Sequence, residues 1–224
     1  MSGKLYIVPT PIGNLQDITF RAVEVLKNVD IILAEDTRQT KKLTSYYQID
    51  KPLWSHHKFN EHQATASVIE KLRGGATFAL VSDGGTPGIS DPGFFLVRAC
   101  IENQIEVTTL PGAVAFVPAL INSGFPSDKF LFIGFLPHKK GRKTILEGIA
   151  QEKQTVILYE SPHRIVKTLE QIVQYIGPET AVAISRELTK TFEENLRGTA
   201  NELLNHFKKH KPKGEFVLVI GREN

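Results

Sequence analysis

The sequence contains very little cysteine, and this scarcity limits the chemistry open to the chain. Cys100 is the one cysteine among 224 residues, which excludes an internal disulfide and a cysteine-based zinc site. Such usage is typical of a reducing compartment. Long apolar runs are also missing, because no stretch approaches the roughly 20 residues that a membrane-spanning helix needs. The first residues do not resemble a secretion signal either. We therefore expect a cytoplasmic protein.

Several motifs of common cofactor and catalytic sites are missing as well. Neither the phosphate loop G-x-x-x-x-G-K-[ST] nor a G-x-G-x-x-G after the first strand occurs. H-E-x-x-H is absent, and His56 and His57 have no third metal ligand at a convincing spacing, so we interpret them, and His62, as polar loop or helix residues. Ser161 and Ser185 lack the sequence context of an acyl-enzyme nucleophile.

The overall composition is that of a folded protein, with 41% hydrophobic and 23% charged residues. Short apolar runs alternate with segments of helical spacing, which predicts an α/β fold built from two α/β domains. We place the first domain at residues 1–118 and the second at residues 119–224, with a turn-rich stretch at residues 122–128. The predicted strands cover residues 5–8, 30–34, 77–81, 106–110, 130–135, 155–159, 180–185 and 215–220.

Predicted helices follow most of these strands. Asp17 is a candidate cap for a helix over residues 18–29. Capping boxes at residues 60–63 and 199–202 predict helices that begin there, the first of which runs to about Arg73. Further helices are expected over residues 35–47 and 140–150, and Pro162 favours the entry of another.

Three turn-rich loops follow predicted strands of the first domain, at residues 9–14, 82–93 and 110–115. In a parallel sheet, ligands collect beyond the carboxyl ends of the strands. The middle loop contains four glycines and two prolines within twelve residues. Glycine lets a ligand approach the backbone and proline makes the loop rigid, so we interpret these loops as a ligand-binding shelf. An ordinary long surface loop is the alternative.

Basic residues are concentrated in two runs of the second domain, although the net charge is only +3. The runs cover residues 138–143 and 208–213. Either run could contact phosphates. The alternative is a solvated helix end, because cations are favoured near helix C-termini.

Several segments together resemble one known family. They are residues 5–15, 35–38, 81–93, 110–113, 134–137, 159–164, 186–190 and 213–215. In this order they resemble the ribosomal RNA small subunit methyltransferase I family, whose members are similar to the tetrapyrrole methylases. The resemblance covers nearly the whole chain.

The resemblance implies both a fold and a reaction. It implies two α/β domains with S-adenosylmethionine in the cleft between them, usually in a homodimer. The implied reaction is methyl transfer to the ribose 2′-hydroxyl of a cytidine in small-subunit ribosomal RNA, free or in the assembled subunit. Thr86 stands where the superfamily has an acid, and Asp83 lies three residues earlier. Many members carry a C-terminal extension, and we expect any RNA-binding role of it to be absent or replaced here.

A glycine- and proline-rich shelf suits this cofactor. Backbone carbonyls suit the cationic sulfonium, and backbone N–H groups suit the carboxylate and the adenine, without the desolvation of a full charge. The predicted cofactor-binding residues are Pro11, Ile12, Asp83, Gly84, Gly85, Thr86, Pro87, Gly88, Ile89, Gly112, Ala113 and Tyr159.

Charged residues after the strands are candidates for catalysis and RNA binding. Methyl transfer is an in-line displacement, in which a carboxylate or lysine could accept the proton of the ribose hydroxyl. The predicted catalytic residues are Glu160, Glu187, Arg186 and Lys190, and the predicted RNA-binding residues are Arg38, Lys139, Lys140, Arg142, Lys143 and Arg164. Structural ion pairs, Glu160 with Arg164 and Glu187 with Arg186, are the alternative.

Three other functions compete with this interpretation. A small-molecule tetrapyrrole methyltransferase would share the fold and cofactor but has little use for basic clusters. A non-catalytic RNA-binding module would not need the shelf. A metal-dependent hydrolase ranks last, because the carboxylates of Glu35, Asp36 and Asp83 are few and scattered in sequence.

Overall fold

A computed structural model describes residues 3–221, in which strands and helices alternate. The chain divides into two compact units between Val114 and Ala115. The elements of the first unit are β1 (Lys4–Ile7), α1 (Phe20–Asn28), β2 (Ile31–Ala34), α2 (Thr37–Tyr46), β3 (Leu53–Ser55), α3 (Glu61–Arg73), β4 (Thr77–Val81), α4 (Phe94–Glu102) and β5 (Glu106–Thr109). Those of the second unit are α5 (Phe116–Ser123), β6 (Phe130–Phe135), α6 (Arg142–Gln151), β7 (Thr155–Glu160), α7 (Ile165–Tyr175), β8 (Ala181–Arg186), β9 (Glu194–Thr199), α8 (Ala200–Lys209) and β10 (Phe216–Ile220).

The first unit is a parallel sheet with the strand order β3-β2-β4-β1-β5. Successive side chains of a strand point to opposite faces of the sheet. In β4, Phe78 and Leu80 join an apolar cluster with α3 and α4, whereas Ala79 and Val81 join a second cluster with α1. Helices therefore cover both faces, which explains why this strand is apolar from Phe78 to Val81.

The parallel arrangement brings the carboxyl ends of all the strands in this sheet to one edge. The loops after β1, β4 and β5 leave the sheet at that edge, and so do the segments after β2 and β3. This is the edge at which open α/β sheets bind ligands. The sequence expectation that the three turn-rich loops follow strands is confirmed.

The second unit is an α/β domain with a mixed sheet, whose strand order is β6-β7-β10-β8-β9. Strands β6 and β7 are parallel, and the other neighbours are antiparallel. Strand β10 lies at the centre and is fully buried. Its apolar cluster includes residues of α6, α7 and α8. The fold class expected from the sequence, two α/β domains, is confirmed. Of the helices that the structure describes, none is both long and apolar enough to cross a bilayer.

Three elements were not among those predicted. Strand β3 is only three residues long and too short to show a period. Strand β9 is polar and is held in place by its backbone pairing with β8. Helix α5 contains Pro118, which is tolerated because it lies in the first turn, where backbone N–H groups have no partner within the helix.

The helix ends test the predicted caps. The capping box of Thr199 and Glu202 is present, and its prediction is confirmed. The box at Asn60 is wrong, because this side chain instead accepts from the His57 N–H and donates to the Ser55 carbonyl. The cap of α1 is Thr19 rather than Asp17. Pro162 precedes its helix by three residues, in a turn.

The capping box makes a testable contribution to stability. Thr199 Oγ1 accepts from the Glu202 N–H at 3.1 Å, and Glu202 Oε2 accepts from the Thr199 N–H at 2.8 Å. We expect Thr199→Ala to lower the free energy of unfolding by about 1 kcal/mol, because the first turn of α8 loses its acceptor. Urea denaturation measures the loss. Thr199→Ser keeps the hydroxyl and is expected to retain most of the stability; an equal loss in both variants would contradict the role of the cap.

Candidate active site

The three turn-rich loops of the first unit are joined to one another by hydrogen bonds. Thr10 and Gly85 exchange two backbone hydrogen bonds, of 2.9 and 2.8 Å, in an isolated antiparallel bridge. Thr10 Oγ1 also donates to the Ser82 carbonyl at 3.0 Å. Thr86 Oγ1 donates to the Ala113 carbonyl at 2.9 Å. Residues 9–14, 82–93 and 110–115 therefore form one structure, which we call the shelf.

Glycine is required where the loops of the shelf approach each other. A Cβ on Gly112 would lie 2.6 Å from the Cβ of Pro9, closer than real Cβ atoms come. Gly85 has φ near +94°, a conformation that favours glycine, and lies beside Ile12 and Ala113. Gly112 is itself exposed, so its backbone is open to a ligand.

The predicted cofactor residues of the first unit all belong to the shelf. Within it, Gly85 and Pro87 are buried, whereas Gly88 is exposed and has no atom near the position that a Cβ would take. The remaining residues are half-buried or exposed; they are Pro11, Ile12, Asp83, Gly84, Thr86, Ile89, Gly112 and Ala113. Tyr159 belongs to the second unit, where its ring contacts Phe132 and Phe135.

Carboxylates that follow β2 contact Asp83 of the shelf. Asp83 Oδ1 accepts from the Asp36 N–H at 3.0 Å. Removal from water raises the pKa of Asp83, and burial together with the nearby Asp83 raises the pKa of Glu35. Asp36 differs, because hydrogen bonds from Arg38 lower its pKa to about 2. Arg38 is mostly exposed and remains open to a further anion on its solvent side.

These carboxylates do not form a metal site. Within residues 3–221, no group of three or more His, Cys, Asp or Glu side chains is placed so that it could hold a metal ion. His56, which follows β3, is fully buried, and neither ring nitrogen has a hydrogen-bond partner among the described residues. Burial lowers the pKa of His56, so the ring is held in its neutral form.

The second sheet collects the predicted catalytic residues at one edge. In the strand register, Phe135 pairs with Tyr159, and Glu160 pairs with Phe216, which in turn pairs with Arg186. The carboxyl ends of β6, β7 and β8 therefore lie side by side. Glu187 and Lys190 follow directly after β8, so all four predicted catalytic residues lie at this edge of the second unit.

The carboxylate of Glu160 is buried, and both of its oxygens have partners. Oε1 accepts from the Ser161 N–H and pairs with Arg164 Nε, both at 2.8 Å. Oε2 accepts from Thr168 Oγ1 at 2.6 Å. Arg164 also donates to the Leu136 carbonyl. This geometry matches the structural ion pair that the sequence left as the alternative, and Glu160 orients Arg164 rather than facing solvent.

Arg142 is also buried, which corrects its predicted place in the exposed basic run. Only 4% of the residue is exposed. Its guanidinium donates to Thr168 Oγ1 and Gln171 Oε1, both at 2.7 Å, and to the Pro137 carbonyl at 3.2 Å. It also lies 3.7 Å from the carboxylate of Glu160. Arg142 is therefore committed to internal contacts and is not available to phosphates.

The rest of the predicted RNA-binding run is accessible. Lys139, Lys140 and Lys143 are exposed, and Lys143 lies 3.6 Å from Glu147 one turn along α6. Arg164 is half-buried and held in place by its two partners.

Charged residues after β8 form a second network. Lys190 Nζ lies 2.9 Å from both Glu187 Oε1 and Glu215 Oε2. Arg186 pairs with Glu194 at 3.5 Å and donates to the Phe192 carbonyl, so its ion-pair partner is Glu194 rather than the Glu187 of the alternative interpretation. Burial acts to lower the pKa of Lys190, but its two carboxylate partners outweigh it and raise the pKa above its usual value. Lys190 is therefore cationic near neutral pH.

Glu187 occupies an unusual backbone conformation in this network. Its φ is near +50°, and a Cβ on Gly214 would lie 2.4 Å from its Cγ, so a side chain at Gly214 would displace that of Glu187. Burial acts to raise the pKa of Glu187, but hydrogen bonds from the Glu215 N–H and Lys190 lower it below its usual value. The carboxylate is therefore ionised. Non-glycine residues in this conformation are often found at functional sites.

Two residues of these networks, Thr168 and Glu215, were not predicted from the sequence. Thr168 bridges Glu160 and Arg142 from within α7, where its place on an amphipathic helix indicates only a core position. Glu215 pairs with Lys190 across 25 residues of sequence. The segment Lys213–Gly214–Glu215 is one of those that carry the family resemblance, and this was the available signal.

Comparison with known proteins identifies the family. Residues 4–204 match the family described as Tetrapyrrole (Corrin/Porphyrin) Methylases. The chain is 51% identical over 219 residues to a ribosomal RNA small subunit methyltransferase I from Synechocystis, an alignment that covers 97% of this chain and 78% of the relative. It is 46% identical over 222 residues to the protein of the same name from Thermotoga maritima, with 99% and 100% coverage. The chain belongs to the ribosomal RNA small subunit methyltransferase I family. The resemblance inferred from the sequence is confirmed.

Solved structures of tetrapyrrole methylases share the fold of this family member. A uroporphyrin-III-C-methyltransferase from Thermus thermophilus has a TM-score of 0.69 at 21% identity, covering 98% of this chain and 94% of that one. A structure of the Thermus enzyme complexed with S-adenosyl homocysteine has a TM-score of 0.68 at 16% identity, with 97% coverage of both chains. At these identities, the comparison shows the fold.

The neighbours Arg142 and Lys143 give a matched test of the buried cluster. We expect Arg142→Ala to lower the free energy of unfolding by about 3 kcal/mol, because it leaves polar partners buried without a donor. Lys143→Ala removes an exposed cation and is expected to change stability by less than about 0.5 kcal/mol. Urea denaturation of both variants measures the difference. Similar small losses in the two variants would show that Arg142 is not buried as described.

Proposed function

We propose that this chain transfers the methyl group of S-adenosylmethionine to the ribose 2′-hydroxyl of a cytidine in small-subunit ribosomal RNA. Methyl transfer as the type of reaction follows from the family, whose members are methyltransferases. The RNA substrate is supported by the names of relatives at 46–51% identity, among them the Escherichia coli O157:H7 protein at 49%. The 2′-hydroxyl and the cytidine go beyond what these names state and belong to the proposal.

The shelf fits the methyl donor chemically. When bound, S-adenosylmethionine supplies a methyl group activated by a sulfonium cation. The shelf presents backbone carbonyls and N–H groups from loops held rigid by the Thr10–Gly85 bridge and the Thr86–Ala113 hydrogen bond. Exposed backbone at Gly88 and Gly112 leaves room for a ligand to approach. Pro11, Ile12, residues 83–89, Gly112 and Ala113 would hold the donor.

The charged edge of the second unit supports binding and activation of the ribose. Lys190 and Arg186 would hold the RNA backbone near the reacting hydroxyl, since Lys190 is kept cationic by its partners. Glu187 is the candidate proton acceptor, because its carboxylate lies at this edge beside Lys190. Glu160 holds Arg164 in place, and Arg164 would contact the RNA. Lys139, Lys140, Lys143 and Arg38 would attract phosphates over a longer range.

A tetrapyrrole substrate is the second candidate. The likeness to uroporphyrin-III-C-methyltransferase favours it at the level of fold. The names of relatives at 46–51% identity favour RNA over a tetrapyrrole. The exposed lysines after β6 suit either substrate, because RNA phosphates and the carboxylates of a tetrapyrrole are both anionic. A non-catalytic RNA-binding module would not require the shelf. Assembly as a homodimer and a place in the cytoplasm remain predictions.

A single experiment tests the proposed reaction. The protein is incubated with methyl-labelled S-adenosylmethionine and small ribosomal subunits that lack the modification, and the labelled nucleotide is mapped by nuclease digestion and mass spectrometry. We expect label on the 2′-oxygen of a cytidine. Label on a base, or labelling of a tetrapyrrole but not of RNA, would overturn the proposal.

Two glycines with similar backbone strain test the shelf. We expect Gly85→Ala to weaken S-adenosylmethionine binding by about tenfold, because the new methyl group strains the junction of the loops at a positive φ. Gly124→Ala has φ near +75° and open space around it, and lies outside the shelf. Gly124→Ala is expected to lower the free energy of unfolding and to leave the affinity for S-adenosylmethionine unchanged. Isothermal titration calorimetry measures both affinities, and equal affinities would argue against a donor site on the shelf.

Arg186 provides a test of the substrate role. We expect Arg186→Ala to lower the rate of RNA methylation by at least about tenfold, because the reacting ribose loses a positioning cation. The affinity for S-adenosylmethionine, measured by calorimetry, is expected to stay near that of the wild type. Parallel losses in methylation and cofactor affinity would remove the substrate role of Arg186. Arg98→Ala, on the surface of α4, is the matched control.

A further inference from the structure

An irregularity in β6 determines where Phe135 points. The register of β6 against β7 shifts between Phe132 and Gly134, so one extra residue is inserted into β6. Phe132 pairs with Ile157 and Phe135 pairs with Tyr159, two positions on the same face of β7. Without the extra residue, two side chains three positions apart would point to opposite faces of the sheet. The bulge therefore places Phe135 on the same face as Phe132 and Tyr159.

Phe135 is both well supported and exposed. Its ring centroid lies 5.6 Å from that of Tyr159, which is itself 5.1 Å from the ring of Phe132. The guanidinium of Arg164 lies 6.0 Å from the Phe135 centroid. Even so, 52% of Phe135 is exposed. An apolar ring held by its neighbours yet open to solvent is suited to contact a flat ligand with little loss of side-chain freedom.

The surroundings of this ring are cationic. The segment that follows Phe135 contains exposed Lys139 and Lys140, and Lys143 is exposed at the start of α6. Arg164 contacts both this segment and the ring, because it donates to the Leu136 carbonyl at 2.9 Å and its guanidinium lies near Phe135. Proteins bind unpaired nucleic acid by combining aromatic platforms for the bases with cations for the phosphates.

We infer that Phe135 stacks on an unpaired base of the RNA substrate, while Lys139 and Lys140 contact the neighbouring phosphates. This inference rests on the proposed function and adds to it a specific contact with single-stranded RNA. The charge around the ring favours RNA over an apolar protein partner. Stacking on one base would hold a loop or an opened strand against the edge that carries Arg186 and Lys190.

The main test compares two substitutions of Phe135. Binding of a fluorescently labelled, unmodified small-subunit RNA transcript is followed by anisotropy. We expect Phe135→Leu, which keeps apolar bulk but loses the ring, to weaken binding by about 10- to 100-fold. Phe135→Tyr keeps the ring and is expected to bind within about threefold of the wild type. In methylation assays, the loss in Phe135→Leu is expected in KM rather than in kcat.

Two controls separate stacking from other effects. Phe20→Leu makes the same substitution at a residue that is 97% exposed and lies in α1 of the first unit, and RNA affinity is expected to be unchanged. The affinity of Phe135→Leu for S-adenosylmethionine, measured by calorimetry, is also expected to match that of the wild type. Analytical ultracentrifugation reports whether Phe135→Leu changes the oligomeric state.

The outcomes distinguish this inference from the proposed function. If the wild type methylates RNA and Phe135→Leu binds RNA as tightly as the wild type does, the stacking role is overturned and the proposed reaction stands. If Phe135→Leu alters the oligomeric state without altering RNA affinity, the ring is a contact between copies of the chain and the inference is wrong. If the wild type neither binds nor methylates RNA, both proposals fail.

Discussion

The backbone bridge between Thr10 and Gly85 is the constraint on which the shelf depends. Its two hydrogen bonds fasten the loop after β1 to the loop after β4, and the hydroxyl of Thr10 adds a bond to the Ser82 carbonyl. The two strands are neighbours in a parallel sheet, and the isolated antiparallel bridge joins the loops beyond their ends. The absence of a Cβ at Gly112 then lets these loops pack closely, and the positive φ of Gly85 favours glycine at the bridge itself. A donor site made of backbone groups is rigid only if the loops that supply them are fixed in this way.

The second unit holds many charged side chains at one edge of its sheet. Buried Glu160 neutralises Arg164 and lies near Arg142, and Thr168 bridges Glu160 and Arg142. Such a cluster is stable only while every member keeps its partners. Its consequence for function is positional, because Arg164 is held against the start of the basic segment and over the ring of Phe135. The network around Lys190 likewise keeps a cation beside an ionised carboxylate.

Much of the fold and part of the site could be predicted from the sequence. Buried strands such as β4 are apolar along their length, and the capping box at Thr199 is a local pattern, so both were recognisable. Strand β9 was not, because its polar residues show no period and its place depends on the ladder with β8. Asn60 shows the limit of a local pattern, since its side chain found better partners in His57 and Ser55 than in the helix that follows.

The sequence by itself determined the family, the alternation of strands and helices, and the loops that form the shelf. These properties are local, because they depend on the order of residue types along the chain. Only the tertiary structure decided which charges are free. Arg142 and Lys143 are adjacent in sequence, yet one is buried among polar partners and the other is exposed. Likewise, a single extra residue in β6 decided the face on which Phe135 lies. Burial and strand register depend on contacts between distant parts of the chain, and no local pattern encodes them.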